Sequence, residues 1–318
     1  MARVVIGSTL VRPIVTAQTD PAPRAASPTR GIALAVAAVS LFPVMDGLVK
    51  YISADYHVTQ IVWARYVFHL VVVVAVALRG RVLHYAKTRR LGLQLLRSVL
   101  LMAATVIFFA ALQFVPLADA VAVNFTAPLF VVAFSIPLLG ERVDGRRWLA
   151  VAVGFAAVLV IVRPGLGLFH WASLMPVGSA CCYALYQIIT RRLAALDHPY
   201  TTLFYLGAVG APCFSLAMPF VWTNPDAADW ALLVTIGCIG GLSQYLLIRA
   251  FQHAPASTLA PFSYLQIVSA TLVGYLLFGD FPDRWTFVGA ALLILCGLSL
   301  ARHETLAGRA VTERPKRG

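Results

Sequence analysis

Six stretches of this chain contain no Asp, Glu, Lys or Arg: 98–118, 120–140, 164–190, 198–225, 230–248 and 250–279. A helix needs roughly 20 apolar residues to cross the hydrocarbon of a bilayer, and most of these runs reach that length. Without water, each backbone N–H and C=O must find its partner inside the protein, which makes the expected structure an all-helical bundle. Composition agrees. Charged residues make up 12% of the chain and apolar ones 60%, whereas a soluble domain carries about a quarter charged. A soluble protein this apolar would expose large patches and aggregate.

The predicted spans are 31–52, 58–78, 92–114, 117–139, 147–163, 169–190, 201–222, 230–252, 256–278 and 285–302. The fold class expected is therefore an all-α integral membrane protein of ten transmembrane helices. Residues 1–30, rich in Pro, Ala, Ser, Thr and Arg, read as a disordered cytoplasmic tail. Their apolar patch, Val4 to Val11, is short and broken by Gly7, Ser8 and Thr9, so no cleaved signal peptide is expected. Residues 305–318 form a basic cytoplasmic tail.

Charge placement sets the orientation. With the N-terminus inside, twenty of the 25 Lys and Arg fall in cytoplasmic segments, Arg97 among them. The outer loops keep Arg163 and Arg284, and Lys50, Arg65 and Arg249 lie within helices. The net charge of +12 is thus a topology signal, and no nucleic-acid partner is expected. The localisation expected is the inner (cytoplasmic) membrane, with both termini inside.

A repeat appears at an offset of 139 residues. Gln113, Pro116, Leu138, Gly140 and Asp144 match Gln252, Pro255, Leu277, Gly279 and Asp283 without a gap, and Ser40 and Tyr66 match Ser179 and Tyr205. Each repeat, 31–165 and 166–304, contains five predicted spans. An odd number inverts the second copy, and two inverted halves can exchange roles to open one site to alternate sides.

The segment from Pro116 to Gly165 reads PLADAVAVNFTAPLFVVAFSIPLLGERVDGRRWLAVAVGFAAVLVIVRPG. Its Pro-Leu-x-x-Ala entry, mid-helix Pro128, Leu-Gly-Glu-Arg, Arg-Trp and closing Arg-Pro-Gly resemble the EamA-type transporters of the drug/metabolite transporter superfamily. Residues 252–302 carry a weaker copy, with Gly279-Asp280 in place of Gly-Glu. The resemblance implies a ten-helix carrier with a central cavity and a small organic substrate. MDGLVKY at 45–51 and QIVWARY at 60–66 are similar to the subgroup containing riboflavin and S-adenosylmethionine uptake carriers. Export of amino acids or drugs is the alternative on the same architecture, and a passive channel or a membrane enzyme are alternatives of another class.

Charged residues inside spans are costly and usually face protein or water. Asp46 and Asp119 are the acids so placed. Asp46 and Lys50 share one face of the first helix, and Arg65 in the second lies at the depth of Asp46 by helical rise. The expectation is an Asp46–Arg65 pair with Lys50 above it, near the outer mouth. At the repeat offset these positions hold Leu185, Ile189 and Phe204, so the charges are not demanded by the shared architecture. A salt bridge that only fixes the two helices, or snorkelling of Lys50, is the plainer alternative. Asp119 suits either a helix cap or proton coupling. Arg249 is read as snorkelling or holding a carbonyl, and Glu141 and Asp280 as structural.

The walls of a cavity would come from polar and aromatic residues. Trp63, Tyr66, Phe109, Gln113, Asn124 and Phe125 are candidates in the first half. Tyr183, Tyr186, Gln187, Gln244, Tyr245, Tyr264 and Gln266 are candidates in the second. Such walls suit a flat aromatic metabolite, by stacking and by amide hydrogen bonds to its edges; ordinary packing and interfacial aromatic belts would use the same residues. Pro43, Pro128, Pro176 and Pro261 are expected to bend helices. No GxxxxGK[ST], HxxxH, HExxH or GxSxG occurs in the sequence, so neither ATP drive nor hydrolase chemistry is expected. The five cysteines form no CxxC pair, and no disulfide, metal or cofactor is expected. The expected partners are a small-molecule substrate and the lipid bilayer, with the protein a monomer or homodimer.

Overall fold

The computed structural model describes residues 28–78, 82–139, 145–162, 171–194, 196–254 and 256–312. Residues 1–27, residues 140–144 with Glu141, and Arg163 lie outside them. Among the described residues the regular elements are all helical. Helix α1 spans Pro28–Ile52, α2 Val58–Val72, α3 Val82–Tyr85 and α4 Leu91–Leu112. Next come α5 (Leu117–Asn124), α6 (Ala127–Leu139) and α7 (Gly145–Val162). The second half holds α8 (Met175–Leu193), α9 (Pro199–Ser215), α10 (Met218–Val221) and α11 (Ala227–His253). It ends with α12 (Ala256–Ser263), α13 (Leu265–Phe278) and α14 (Arg284–Thr312). Among the described residues, seven helical stretches are long and apolar enough to cross a membrane, and Val151–Val162 and Arg284–Ser299 are shorter apolar pieces.

Helix ends follow local chemistry. Proline occupies the first position of α9, where its missing N–H costs nothing and its φ is already helical. Gly279 closes α13 at φ 71°, a left-handed conformation that glycine adopts without strain. The Asp280 N–H then bonds back to the Gly274 carbonyl at 3.3 Å. Helix α14 runs to Thr312, ten residues beyond the expected span, because ARHETLAGRAVT is rich in good helix formers.

Among the described residues, five predicted spans are not continuous α-helices; the sixth opens with a 3₁₀ turn over Trp171–Leu174, and the seventh breaks between α9 and α10 at residues 216–217. The second turns π-helical over Val73–Leu78. The fourth breaks between α5 and α6 at Phe125–Thr126, and the ninth breaks between α12 and α13 at Tyr264. Pro128 explains the first of these breaks: it offers no N–H to the Asn124 carbonyl and its ring crowds that group. Pro261 stands one turn before the other break and stays inside α12. The breaks of the fourth and ninth spans fall at residues 139 apart, and the Phe125 and Tyr264 rings meet at 5.4 Å.

Packing has the same two-fold pattern. Helix α1 packs on α11, as their repeat counterparts α8 and α4 pack on each other; α2 packs on α11 as its counterpart α9 packs on α4. Helices α2 and α9 meet each other, and so do α7 and α14. The halves therefore interdigitate around one axis. Tight contact depends on glycine at α2. A Cβ on Gly237 would overlap the Phe68 side chain and stand 2.6 Å from the Ala64 carbonyl oxygen.

Candidate functional site

A cavity of about 410 Å³ lies between α1, α4, α5–α6, α8 and α11–α13, with α2 contributing Arg65. That volume is within the range of small-molecule sites, roughly 300–1,000 Å³. Both helix breaks reach it, through Asn124, Phe125 and Pro128 on one side and Ser263 and Gln266 on the other. Broken helices leave backbone polar groups facing a cavity in place of lipid.

Asp46 comes from α1 and is 4% exposed; Arg65 comes from α2 and is 7% exposed. Both line the cavity, yet no ion pair joins them. The Arg65 charge acts on Asp46 only through space. Arg65 instead donates from Nη1 to Thr105 Oγ1 at 3.0 Å, and its Nε has no acceptor. The faces of Tyr66 and Phe109 flank the guanidinium at 5.2 and 5.6 Å. Asn124 Oδ1 is likewise buried without a donor.

Of the residues expected in the walls, Phe109, Asn124, Phe125, Tyr183, Gln187, Gln244 and Gln266 line the cavity with Asp46 and Arg65. The others sit elsewhere. Lys50 binds Asp280 at 2.8 Å and lies over the Phe278 ring at 4.7 Å; the left-handed turn at Gly279 brings that carboxylate to it. Trp63 donates to Ser215 Oγ at 2.9 Å and packs edge-on to Trp222 and Trp230. Tyr66 stacks on Phe214 and shares a hydrogen bond with Thr105. Gln113 donates to the Ser53 carbonyl at 3.4 Å. Asp119 accepts from Thr286 Oγ1 at 2.9 Å. The Tyr264 ring meets Phe125 at a tilt of 31°. Tyr245 accepts from Arg249 Nη1 at 2.9 Å, four residues away on α11.

Tyr186 accepts from Arg97 Nη2 at 2.7 Å. Arg97, counted with the cytoplasmic charges by sequence, is 4% exposed. It also donates to Thr190 Oγ1 and the Thr202 carbonyl, so a ring of neutral acceptors replaces water around it. Sequence reasoning also missed Thr105 and Ser179, which line the cavity. Thr105 precedes Phe109 by four residues and so shares its face, and at the repeat offset it corresponds to Gln244.

Polar contacts tie the repeats together at one end of the bundle. Lys50–Asp280 and Asp119–Thr286 are joined there by Tyr56 Oη to Asp229 Oδ2 at 2.5 Å, which pushes the Tyr56 hydroxyl up to about 12. Gln60 bonds both the N–H and the carbonyl of Thr223. At the opposite end, Asp197 accepts from Thr88, from Gln94 Nε2 at 2.8 Å and from the Arg89 N–H at 3.1 Å. Burial would raise the Asp197 carboxyl, but these bonds and the Arg89 charge hold it below its ordinary value. Toward that end the cavity lining continues to Ala35, Phe251 and Leu259.

A two-fold helical bundle with broken helices at a central, partly polar cavity defines a multi-pass membrane protein that handles small solutes. The chain belongs to the EamA-like transporter family, which matches residues 29–163 and again 170–301. It is therefore a membrane transporter rather than an enzyme. It is 28% identical to an S-adenosylmethionine uptake transporter of Rickettsia bellii, over 82% of this chain and 90% of that one. It is 29% identical to a riboflavin transporter of Vibrio cholerae, over 89% and 96%. A pseudopaline exporter of Pseudomonas aeruginosa is 30% identical over 86% and 96%. A crystal structure covering 87% of this chain and 99% of its own superposes with a TM-score of 0.61 at 19% identity, a likeness of fold.

Proposed function

We propose that this protein is a secondary carrier that moves a flat, ring-bearing metabolite, of which riboflavin is one candidate, across the inner membrane by alternating access. In this reading ten spans form two inverted five-helix repeats, and both termini are cytoplasmic. One observation carries it: the two helix breaks, 139 residues apart, meet at Phe125 and Tyr264 beside a single cavity. Sites formed by discontinuous helices at a repeat interface are what a rocking carrier needs.

In this reading the outer side is the closed one, with further cross-repeat contacts through Asp197 and Arg97 at the other end. Lys50–Asp280, Tyr56–Asp229, Gln60–Thr223 and Asp119–Thr286 each join one repeat to the other at the outer end. Toward the cytoplasm, α1, α11 and α12 meet through small apolar side chains, Ala35, Ala250, Ala254 and Leu259. Substrate is held by rings and amides, and exchange of the closed end exposes it to the other side.

Uptake of labelled riboflavin into vesicles containing the purified protein tests transport directly. Orientation is tested in a cysteine-free background with Lys87→Cys and Arg284→Cys. An impermeant thiol reagent is expected to reach these from opposite sides. Labelling from the same side would remove the inverted repeat and the mechanism built on it.

A further inference from the structure

We infer that the cavity selects ampholytes, solutes that carry a cation and an anion beside a planar ring, with Asp46 holding the cationic end and Arg65 the anionic end. The inference rests on the carrier reading of the same cavity and narrows its substrate class.

Two buried opposite charges line one cavity without touching. Among the described residues, no hydrogen bond or ion pair reaches Asp46, although it is 4% exposed. Arg65 uses one of its donors on the Thr105 hydroxyl, a neutral acceptor, and leaves Nε unpaired. Removing a charge from water is costly unless another charge and good hydrogen bonds compensate it, and inside a membrane such residues mark solute pathways. Arg97 is a control within the same molecule: equally buried, outside the cavity, and bonded to three acceptors. Outside the cavity, Arg249 also leaves its Nε unpaired but gives Nη1 to Tyr245, whereas the Asp46 carboxylate makes no hydrogen bond at all among the described residues.

The charge of the solute decides how well this shortfall is met. An uncharged solute leaves both groups as they are. A simple cation satisfies Asp46 and opposes Arg65, and a simple anion does the reverse. An ampholyte satisfies both, and its two ends can bridge a gap that the side chains themselves leave open. The guanidinium suits a carboxylate, which can accept two of its N–H groups at once. Phe109, Phe125 and Tyr183 provide ring faces, and Gln244 and Gln266 provide amides for the edge of a heterocycle. The repeat offset places Leu185 and Phe204 at the counterparts of Asp46 and Arg65, so the charges bias the cavity toward the first half. That fixes the orientation of an asymmetric solute.

The test measures thermal stability of the full-length protein in detergent, where a bound solute raises the melting temperature by mass action. The probes are S-adenosylmethionine and tryptophan as ampholytes, tryptamine and indole-3-propionate as single-charge analogues, and riboflavin as an uncharged planar solute. At least one ampholyte is expected to bind the wild type about tenfold or more tighter than the single-charge analogues and riboflavin. Asp46→Asn is expected to weaken the ampholyte about ten- to a hundredfold and to tighten indole-3-propionate, which no longer meets a like charge. Arg65→Gln is expected to weaken the ampholyte similarly and to tighten tryptamine. Melting of each variant without solute reports whether it folds. If one does not, the analogue comparison on wild-type protein decides.

Stabilisation by riboflavin alone, by single-charge analogues as well as by ampholytes, or by none of the probes overturns the inference. So does equal weakening of every probe by both substitutions, which is the behaviour of a purely structural pair. None of these outcomes touches the carrier reading, which stands or falls on solute movement into vesicles. An ampholyte that binds but is never moved would refute the carrier and leave the selectivity.

Discussion

Lys50 shows how much a single side chain depends on a turn far away in sequence. It lies one helical turn from Asp46, but the left-handed Gly279 brings Asp280 within 2.8 Å of its ammonium. Lys50 is thereby drawn away from the cavity and into a tie between the repeats. The carboxylate is 39% exposed, so the pair is screened and contributes about 0–1 kcal/mol. Asp280→Asn is expected to lower the melting temperature slightly and to ease opening of the outer end, read as faster labelling of Ser53→Cys from outside. The charge-exchanged double variant, Lys50→Asp with Asp280→Lys, should return both measurements toward wild type. If the double variant behaves as the worse of the two single ones, the pair is not a tie.

Among the elements, α2 is packed on two sides. It lies between α9 and α11, and it can approach α11 because glycine replaces a side chain at the crossing. Gly237→Leu would push against the Phe68 side chain and the Ala64 carbonyl. Overpacking of this kind costs about 1–3 kcal/mol, and because α2 carries Arg65 the cavity would change shape as well. Gly92, near the start of α4, has open space where a methyl group would stand, with nothing within 4 Å. Gly92→Ala is expected to be neutral or to stabilise by up to about 1 kcal/mol. Fluorescence-detected melting of the two variants side by side checks the contrast; equal loss in both would mean that the close crossing is unimportant.

For the whole molecule, the two-fold pattern links the ends of the bundle. The α1–α2 loop meets the start of α11 through Tyr56 and Asp229, and its counterpart, the α8–α9 loop, meets the start of α4 through Asp197. Asp197 titrates lower in the folded protein than its ordinary value. Its contribution is therefore fully present above the unfolded value, about pH 4, and is lost as the pH falls through the lower folded value. Asp197→Asn should melt below wild type at about pH 7, with the gap narrowing as the pH falls below about 4. A gap that stays constant with pH would show that the carboxylate charge is not what holds this end.

Hydropathy determined the helical class and the membrane setting, because the bilayer punishes every exception along a stretch about 20 residues long, and the motifs of residues 116–165 carried the family resemblance. Those are local constraints, and a single strand of text carries them. The offset even relates Phe125 to Tyr264, though it does not state that the helices break there and that the rings touch. Tertiary structure decided which of the polar residues share the cavity. Asp46 and Lys50 lie on one face of one helix, yet one faces the cavity and the other an acid 230 residues away. Arg97 reads as a loop charge and is buried among hydroxyls and a carbonyl from two other helices. What a side chain meets depends on which neighbouring helix covers it, and that choice is made by packing between segments far apart in the chain.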